Sequence, residues 1–81
     1  MEEVYIDVRT KEEYDEKHVK NAINIDYYSE DLERGLKKLD KSKKYKVYCR
    51  SGARSESVVK IMKKLGFDVE DLGSIQEQFL T

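Results

Sequence analysis

Cys49 begins a short segment whose residue types suit nucleophilic chemistry on an anionic substrate. Arg50 follows Cys49 directly, and Arg54 lies five positions after Cys49. Two charges that cannot be titrated away are therefore close to the thiol in sequence. Between them, Gly52 lets the backbone turn or approach a ligand closely. A lone cysteine is most often a small buried apolar side chain, whereas a thiol beside fixed positive charge is the type that reacts as a thiolate. This segment therefore predicts a nucleophilic Cys49.

The segments on either side of Cys49 indicate how it is positioned. A β-rich run at residues 45–48 predicts a strand that ends at the cysteine. Open α/β sheets place their ligands at such strand ends, and the free N–H groups of a helix start favour an anion. We expect these groups to lower the pKa of the thiol and to form a nest around it. The helix after the loop is predicted by an apolar stripe of Val58, Ile61, Met62 and Leu65.

The spacing between Cys49 and Arg54 bears on which anion the loop can hold. Four residues separate them. Cysteine phosphatases have one residue more, Cys-x-x-x-x-x-Arg, because their loop must enclose three oxygens of a phosphate. At that position this chain has Ser55, which lacks the guanidinium fork that binds phosphate. The shorter loop suits the single outer sulfur of a persulfide and disfavours a cysteine phosphatase or arsenate reductase.

The rest of the chain alternates strands with helices. Thr10 and Glu13 form a capping box that begins a helix, and Gly66 is placed to end the helix that follows the loop. This alternation predicts an α/β fold, with a small, mostly parallel sheet of about four strands and helices on both faces. We expect a single domain over residues 1–81. Strands are predicted at residues 4–8, 23–25 and 45–48, and a last short strand is predicted around Val69 within residues 67–72.

The composition excludes several classes of protein. The 81 residues include one cysteine, so no disulfide can form within the chain. No apolar stretch approaches the roughly 18 residues of a membrane span, and the acidic N-terminus lacks the features of a signal peptide. We therefore expect a cytoplasmic protein with no membrane partner. The net charge of -1 argues against a nucleic-acid partner, and the lack of a Cys/His cluster argues against a metal site.

Three groups of motifs follow one another along the chain. They are Asp7-Val8-Arg9, Glu13-Tyr14, His18-Val19 and Ala22-Ile23-Asn24-Ile25, then Tyr48-Cys49-Arg50-Ser51-Gly52-Ala53-Arg54-Ser55, and finally Leu65-Gly66-Phe67 and Asp71-Leu72-Gly73. With these motifs the sequence resembles the rhodanese-like sulfurtransferases, in their compact single-domain form, over almost its whole length. Lys17 and Asn21 depart from the family pattern, which usually has glycine at both positions.

The resemblance implies a rhodanese-like fold and a two-step reaction. Cys49 is implied to attack the outer sulfur of thiosulfate or another small anionic donor, to release sulfite, and to pass the sulfur from a persulfide to cyanide or a thiol acceptor. A protein is a further acceptor that the resemblance allows. No cofactor or metal is implied. The loop amides are implied to stabilise the persulfide and the two arginines to attract the donor, which makes the substrate-binding residues Arg50, Ser51, Gly52, Ala53 and Arg54.

A second function, from a different class, stays open on the same residues. The loop also suits a persulfide carrier or interaction domain that receives sulfur from a partner and turns over little thiosulfate. Around the loop we expect scaffold roles, with Arg9 paired to a carboxylate such as Glu13 and with His18 as a structural hydrogen-bonding residue. Tyr27 and Tyr28 are expected near the entrance to the site.

Overall fold

The computed structural model describes residues 2–80, in which strands alternate with helices. The four strands pair in parallel in the order β2-β1-β3-β4. This confirms the predicted α/β fold with a small parallel sheet. The elements are β1 (Glu3–Asp7), α1 (Lys11–Glu16), β2 (Ile23–Asn24), α2 (Leu32–Lys37), β3 (Lys44–Cys49), α3 (Ala53–Lys64), β4 (Asp68–Ser74) and a 3₁₀ turn (Glu77–Phe79).

Alternation of side chains along the central strands β1 and β3 separates the two faces of the sheet. Asp7 and Tyr48 point away from the main core, and the backbone N–H of Val19, from the connection after α1, donates to the Tyr48 hydroxyl on that face. The connection after α1 therefore contacts this second face, while α2 and α3 pack on the face of the main core. Each large apolar side chain buried in the main core stabilises the fold by about 1.5–3 kcal/mol. That core contains Ile6, Leu36, Val47, Cys49, Val58, Val59 and Met62, from β1, β3, α2 and α3.

The two positions where the resemblance leads us to expect glycine are explained by the backbone. Asn21 adopts a φ of 67°, a left-handed conformation that asparagine tolerates better than most residues. Lys17 has a φ of -159°, which is extended backbone open to any side chain. Neither departure therefore disturbs α1 or its connection to β2. The predicted capping box of Thr10 and Glu13 is present at the start of α1.

Strand β4 is longer than predicted and reaches the level of Cys49. The register between β3 and β4 shifts near the end of the pair, so that Tyr48 lies opposite Gly73 and Cys49 opposite Ser74. Gly73 has a φ of 70°, an irregularity that glycine makes without strain. Sequence alternation could not reveal this continuation. Because Ser74 lies opposite Cys49, the end of β4 borders the predicted site. β4 is also the outer strand on its side of the sheet.

Among residues 2–80, no helix is both long enough and apolar enough to cross a bilayer. The cytoplasmic location stays a prediction from the sequence.

Candidate active site

Cys49 is the last residue of β3, at the carboxyl end of the sheet. It is fully buried, with 0% of its surface exposed. Its carbonyl accepts a hydrogen bond from the backbone N–H of Ile75 at 3.0 Å, just after β4. The strand end is thus fixed on the side of β4, and the sulfur lies where β3 leads into the loop.

The loop returns to the sulfur through backbone N–H groups. Gly52 is the N-cap of α3 and has a φ of 97°, a conformation that favours glycine. Its N–H donates to Cys49 Sγ at 2.9 Å, and the N–H of Ser55 donates at 3.4 Å. Ala53 begins the helix directly after the cap, and the Ser74 hydroxyl donates to the carbonyl of Arg50 at 2.7 Å. The sulfur therefore sits in a nest made by the start of α3.

These contacts decide the ionisation of the thiol. Burial acts most strongly and raises the pKa of Cys49, but the Ser55 hydroxyl and the backbone N–H groups of Ser55, Gly52 and Ser51 together lower that pKa below its usual value. The Ser55 hydroxyl donates to the Gly52 carbonyl at 3.0 Å. It has a single proton, for which the carbonyl and the sulfur of Cys49 compete. A thiolate is the stronger acceptor, because hydrogen bonds to ionised groups are stronger than neutral ones. Ser55 is itself fully buried.

Replacing Ser55 with alanine tests this contribution. We expect the pKa of Cys49 to rise and the thiolate fraction at neutral pH to fall about tenfold, since a hydrogen bond to a charged group contributes about 1.5–3 kcal/mol. The thiolate absorbance in the ultraviolet, followed against pH, measures this directly. Ser57→Ala is the matched control, because Ser57 is partly exposed on the same helix and its hydroxyl donates to the Ala53 carbonyl, away from the sulfur. An unchanged titration curve in Ser55→Ala would contradict the assignment.

Arg54 is held by the carboxylate of Glu13, which lies in α1. Its Nη1 lies 3.1 Å from Oε1 of Glu13 and its Nη2 lies 3.5 Å from Oε2. Its guanidinium also lies 5.7 Å from the centre of the Tyr28 ring, which is the aromatic residue expected near the entrance. A guanidinium held in this way has lost much of its capacity to form a fork with phosphate. The positive charge of Arg54 is therefore partly neutralised beside Cys49.

The ion pair makes stability depend on acid pH. The Arg54 side chain, together with Thr10, lowers the pKa of Glu13 to about 2, against about 4.3 for an unfolded glutamate. Its contribution is thus complete above the unfolded pKa and is lost as pH falls towards about 2. We expect wild type to lose about 1–2 kcal/mol more than Glu13→Gln between pH 5 and pH 2.5, after allowance for solvent contact. Urea unfolding at several pH values measures the difference, and parallel pH curves for the two proteins would contradict it.

Arg50 is the freer of the two loop arginines. Its side chain is exposed, and no carboxylate of the described residues lies within 4.0 Å of its guanidinium. Cys49, Arg50, Ser51, Gly52, Ala53 and Arg54 are thus brought together as the sequence predicted, but their charges are not equivalent. Arg50 is exposed and has no carboxylate partner among the described residues, whereas Arg54 is held in place by Glu13.

Arg9 pairs with a carboxylate, as predicted, but the suggested partner, Glu13, was wrong. Arg9 instead binds Asp7, through Nε and Nη2, and both side chains are buried. Asp7 also accepts from the Tyr48 hydroxyl at 2.8 Å. This network ties the carboxyl ends of β1 and β3 together under the site. Burial and the nearby Asp7 carboxylate raise the pKa of Tyr48 far above its usual value, so its hydroxyl stays a donor.

His18 lies in the connection after α1 and contacts Tyr14. His18 Nδ1 lies 2.7 Å from the Tyr14 carbonyl, and the His18 and Tyr14 rings stack at 3.8 Å, which agrees with a structural role near the first connection. Within the described residues, no group of three or more His, Cys, Asp or Glu side chains is placed to hold a metal ion.

Comparison with known proteins decides the family. Residues 1–77 match the family described as the Rhodanese-like domain. The chain belongs to this family. It is similar to the thiosulfate sulfurtransferase PspE of Escherichia coli, with 34% identity over 76 residues that cover 93% of this chain and 73% of PspE. It is also similar to the thiosulfate sulfurtransferase GlpE of Coxiella burnetii, with 36% identity over 64 residues that cover 79% of this chain and 58% of GlpE.

A solved structure agrees with this assignment. The crystal structure of a rhodanese-related protein from Thermoplasma volcanium matches with a TM-score of 0.82 and 34% identity, over 93% of this chain and 74% of that one. The rhodanese-like resemblance inferred from the motifs is thereby confirmed. This chain spans only part of the length of each of these relatives, 58% in the case of GlpE.

Sequence reasoning missed two residues of this rhodanese-like site. Ser55 was considered at the phosphatase arginine position and not as a partner of the sulfur, yet its N–H donates to Sγ and its hydroxyl lowers the pKa of Cys49. The available signal was its place three residues after Gly52, since the third N–H after a helix cap has no partner within the helix. Glu13 was expected to pair with Arg9, and its contact with Arg54 joins positions 41 residues apart.

Proposed function

We propose that this domain is a sulfurtransferase that moves sulfane sulfur from thiosulfate or a similar donor to cyanide or a thiol acceptor through a persulfide on Cys49. The observation that carries this proposal is the nest of N–H groups around Sγ, from Gly52 at 2.9 Å and Ser55 at 3.4 Å. Such a nest stabilises negative charge on one sulfur. The names of the relatives support the same class of reaction.

In the first step the Cys49 thiolate attacks the outer sulfur of thiosulfate. The bond between the two sulfurs of the donor breaks, and sulfite leaves with the bonding electron pair. The exposed Arg50 attracts the dianionic donor, while the amides of Gly52 and Ser55, with those of Ser51 and Ala53 nearby, hold the persulfide. In the second step cyanide or a thiolate attacks the outer sulfur, and Cys49 leaves as the thiolate that these amides stabilise.

A persulfide carrier with little turnover is the second candidate. Two features favour it. The sulfur is fully buried at rest, and Glu13 neutralises much of the Arg54 charge that would otherwise draw in thiosulfate. A carrier would receive its sulfur from a partner protein at the loop rather than from free thiosulfate.

Intact-mass measurement after incubation with thiosulfate tests the proposal. We expect a gain of one sulfur atom on the protein, released by dithiothreitol, and thiocyanate formation when cyanide is added. A one-sulfur gain without steady thiocyanate formation would favour the carrier. No gain of sulfur from thiosulfate or from other sulfane donors would overturn the persulfide function in both forms.

A further inference from the structure

A cleft beside the active-site loop combines two guanidinium groups with two aliphatic side chains. It has a volume of about 250 Å³ and is lined by Arg9, Arg50, Ile75 and Leu80. A smaller cavity of about 140 Å³ shares Arg9, Arg50 and Leu80 and extends towards α1. We refer to the larger one as the Arg50 cleft. It lies beside the end of β3, because Arg50 follows Cys49 and Ile75 donates its N–H to the Cys49 carbonyl.

The positive charge of the Arg50 cleft is available to a ligand. Asp7 engages Nε and Nη2 of Arg9, which holds that guanidinium rigidly in the wall. Arg50 has no carboxylate within 4.0 Å among the described residues, and the Glu13 carboxylate nearby is already paired with Arg54. Arg50 is therefore the charge that an anion entering the cleft would meet first. A planar guanidinium binds a carboxylate with two parallel hydrogen bonds.

The apolar side chains that line the Arg50 cleft bear on which anions it favours. Ile75 and Leu80 offer apolar surface, which contributes about 25 cal/mol for each Å² buried. Thiosulfate and cyanide have no hydrocarbon part to use it. A short carbon chain that ends in a carboxylate matches both the guanidinium groups and the apolar side chains of the cleft.

We propose that the Arg50 cleft binds the carboxylate of a small organic thiol that accepts sulfur from Cys49. This inference rests on the sulfurtransferase function proposed above and names its acceptor class. The thiolate of the bound acid attacks the outer sulfur of the protonated persulfide. A new S–S bond forms on the acid, the S–S bond to Cys49 breaks, and Cys49 leaves with the electron pair as a thiolate. The proton stays on the transferred sulfur, so the product is the persulfide of the acid.

The test compares 3-mercaptopropionate with its amide as acceptors in a single turnover. Protein preloaded with sulfur and freed of donor removes any effect of Arg50 on the first step. We expect the acid to react at least about tenfold faster than the amide at low concentration, as one charge-assisted pair of hydrogen bonds contributes about 1.5–3 kcal/mol. In Arg50→Gln the preference should disappear, so that the acid and the amide react at the same rate. Arg34→Gln is the matched control, because Arg34 is exposed on α2 and pairs only with Asp31.

A binding measurement keeps the site testable apart from the transfer. Propionate titrated into the unloaded protein should shift the NMR signals of Ile75 and Leu80 in wild type and not in Arg50→Gln. A loaded persulfide that reacts with acid and amide at the same relative rates in wild type and Arg50→Gln would overturn the acceptor assignment and leave the sulfurtransferase function standing. Failure to load Cys49 at all would overturn the function and this inference with it.

Discussion

Replacing Cys49 with serine is expected to abolish thiocyanate formation from thiosulfate, by at least about 1,000-fold, the scale of loss when a nucleophile is removed. A serine hydroxyl cannot form a stable bond to the transferred sulfur in place of the thiolate. The loss should lie in the rate of transfer and not in folding, because the N–H groups of Gly52 and Ser55 that now bond to Sγ can bond to a hydroxyl instead. A coupled thiocyanate assay on purified wild type and variant measures the effect.

Two controls separate the lost nucleophile from a damaged fold. Cys49→Ser should unfold near the urea concentration of wild type, whereas Cys49→Ala leaves the N–H groups of Gly52 and Ser55 without their acceptor and should be less stable by about 1–3 kcal/mol. The far-ultraviolet circular dichroism spectrum should also be unchanged. Thiocyanate formation that persists in a folded Cys49→Ser protein would show that Cys49 is not the residue that carries sulfur.

The second large effect is on stability. Asp7 is fully buried and accepts hydrogen bonds from the Arg9 side chain and from the Tyr48 hydroxyl. Asp7→Ala leaves the Arg9 charge buried, at 5% exposure, without its counter-charge. Breaking a buried pair in this way costs about 3–5 kcal/mol, out of about 5–15 kcal/mol for a whole domain. We expect Asp7→Ala to be largely unfolded at 37 °C, which thermal and urea unfolding will measure.

A graded series checks the origin of this loss. Tyr48→Phe removes one hydroxyl and leaves Val19 N–H without its acceptor, so it should cost about 1–3 kcal/mol. Asp15→Ala, which removes an exposed carboxylate paired with Lys11 on the surface, should unfold close to wild type. If Asp7→Ala were as stable as Asp15→Ala, the buried network would have no role in holding β1 to β3.

The sequence was most informative where function depends on neighbours in the chain. Local sequence patterns predict the strand before Cys49, the turn at Gly52 and the helix after it. The nest around the sulfur could therefore be predicted. Thr10 and Glu13 show the same, because a capping box is a contact between residues three positions apart.

The errors arose where a side chain had a choice of partners. Arg9 lies close in sequence to both Asp7 and Glu13, and only the sheet decides that Asp7 is buried beside it while Glu13 faces the loop. The Arg54 contact with Glu13 depends on how α1 is placed over the strand ends, which no local pattern encodes. The extension of β4 through Gly73 depends on a register shift, and alternation of side chains cannot show such a shift.

The outer position of β4 has a consequence for how copies of the protein meet. A free strand edge is a template on which another chain can add a strand. Along this edge strand, Asp68, Glu70 and Asp71 are all exposed, so two copies brought edge to edge would place like charges opposite each other. This row of carboxylates therefore disfavours self-association through the sheet.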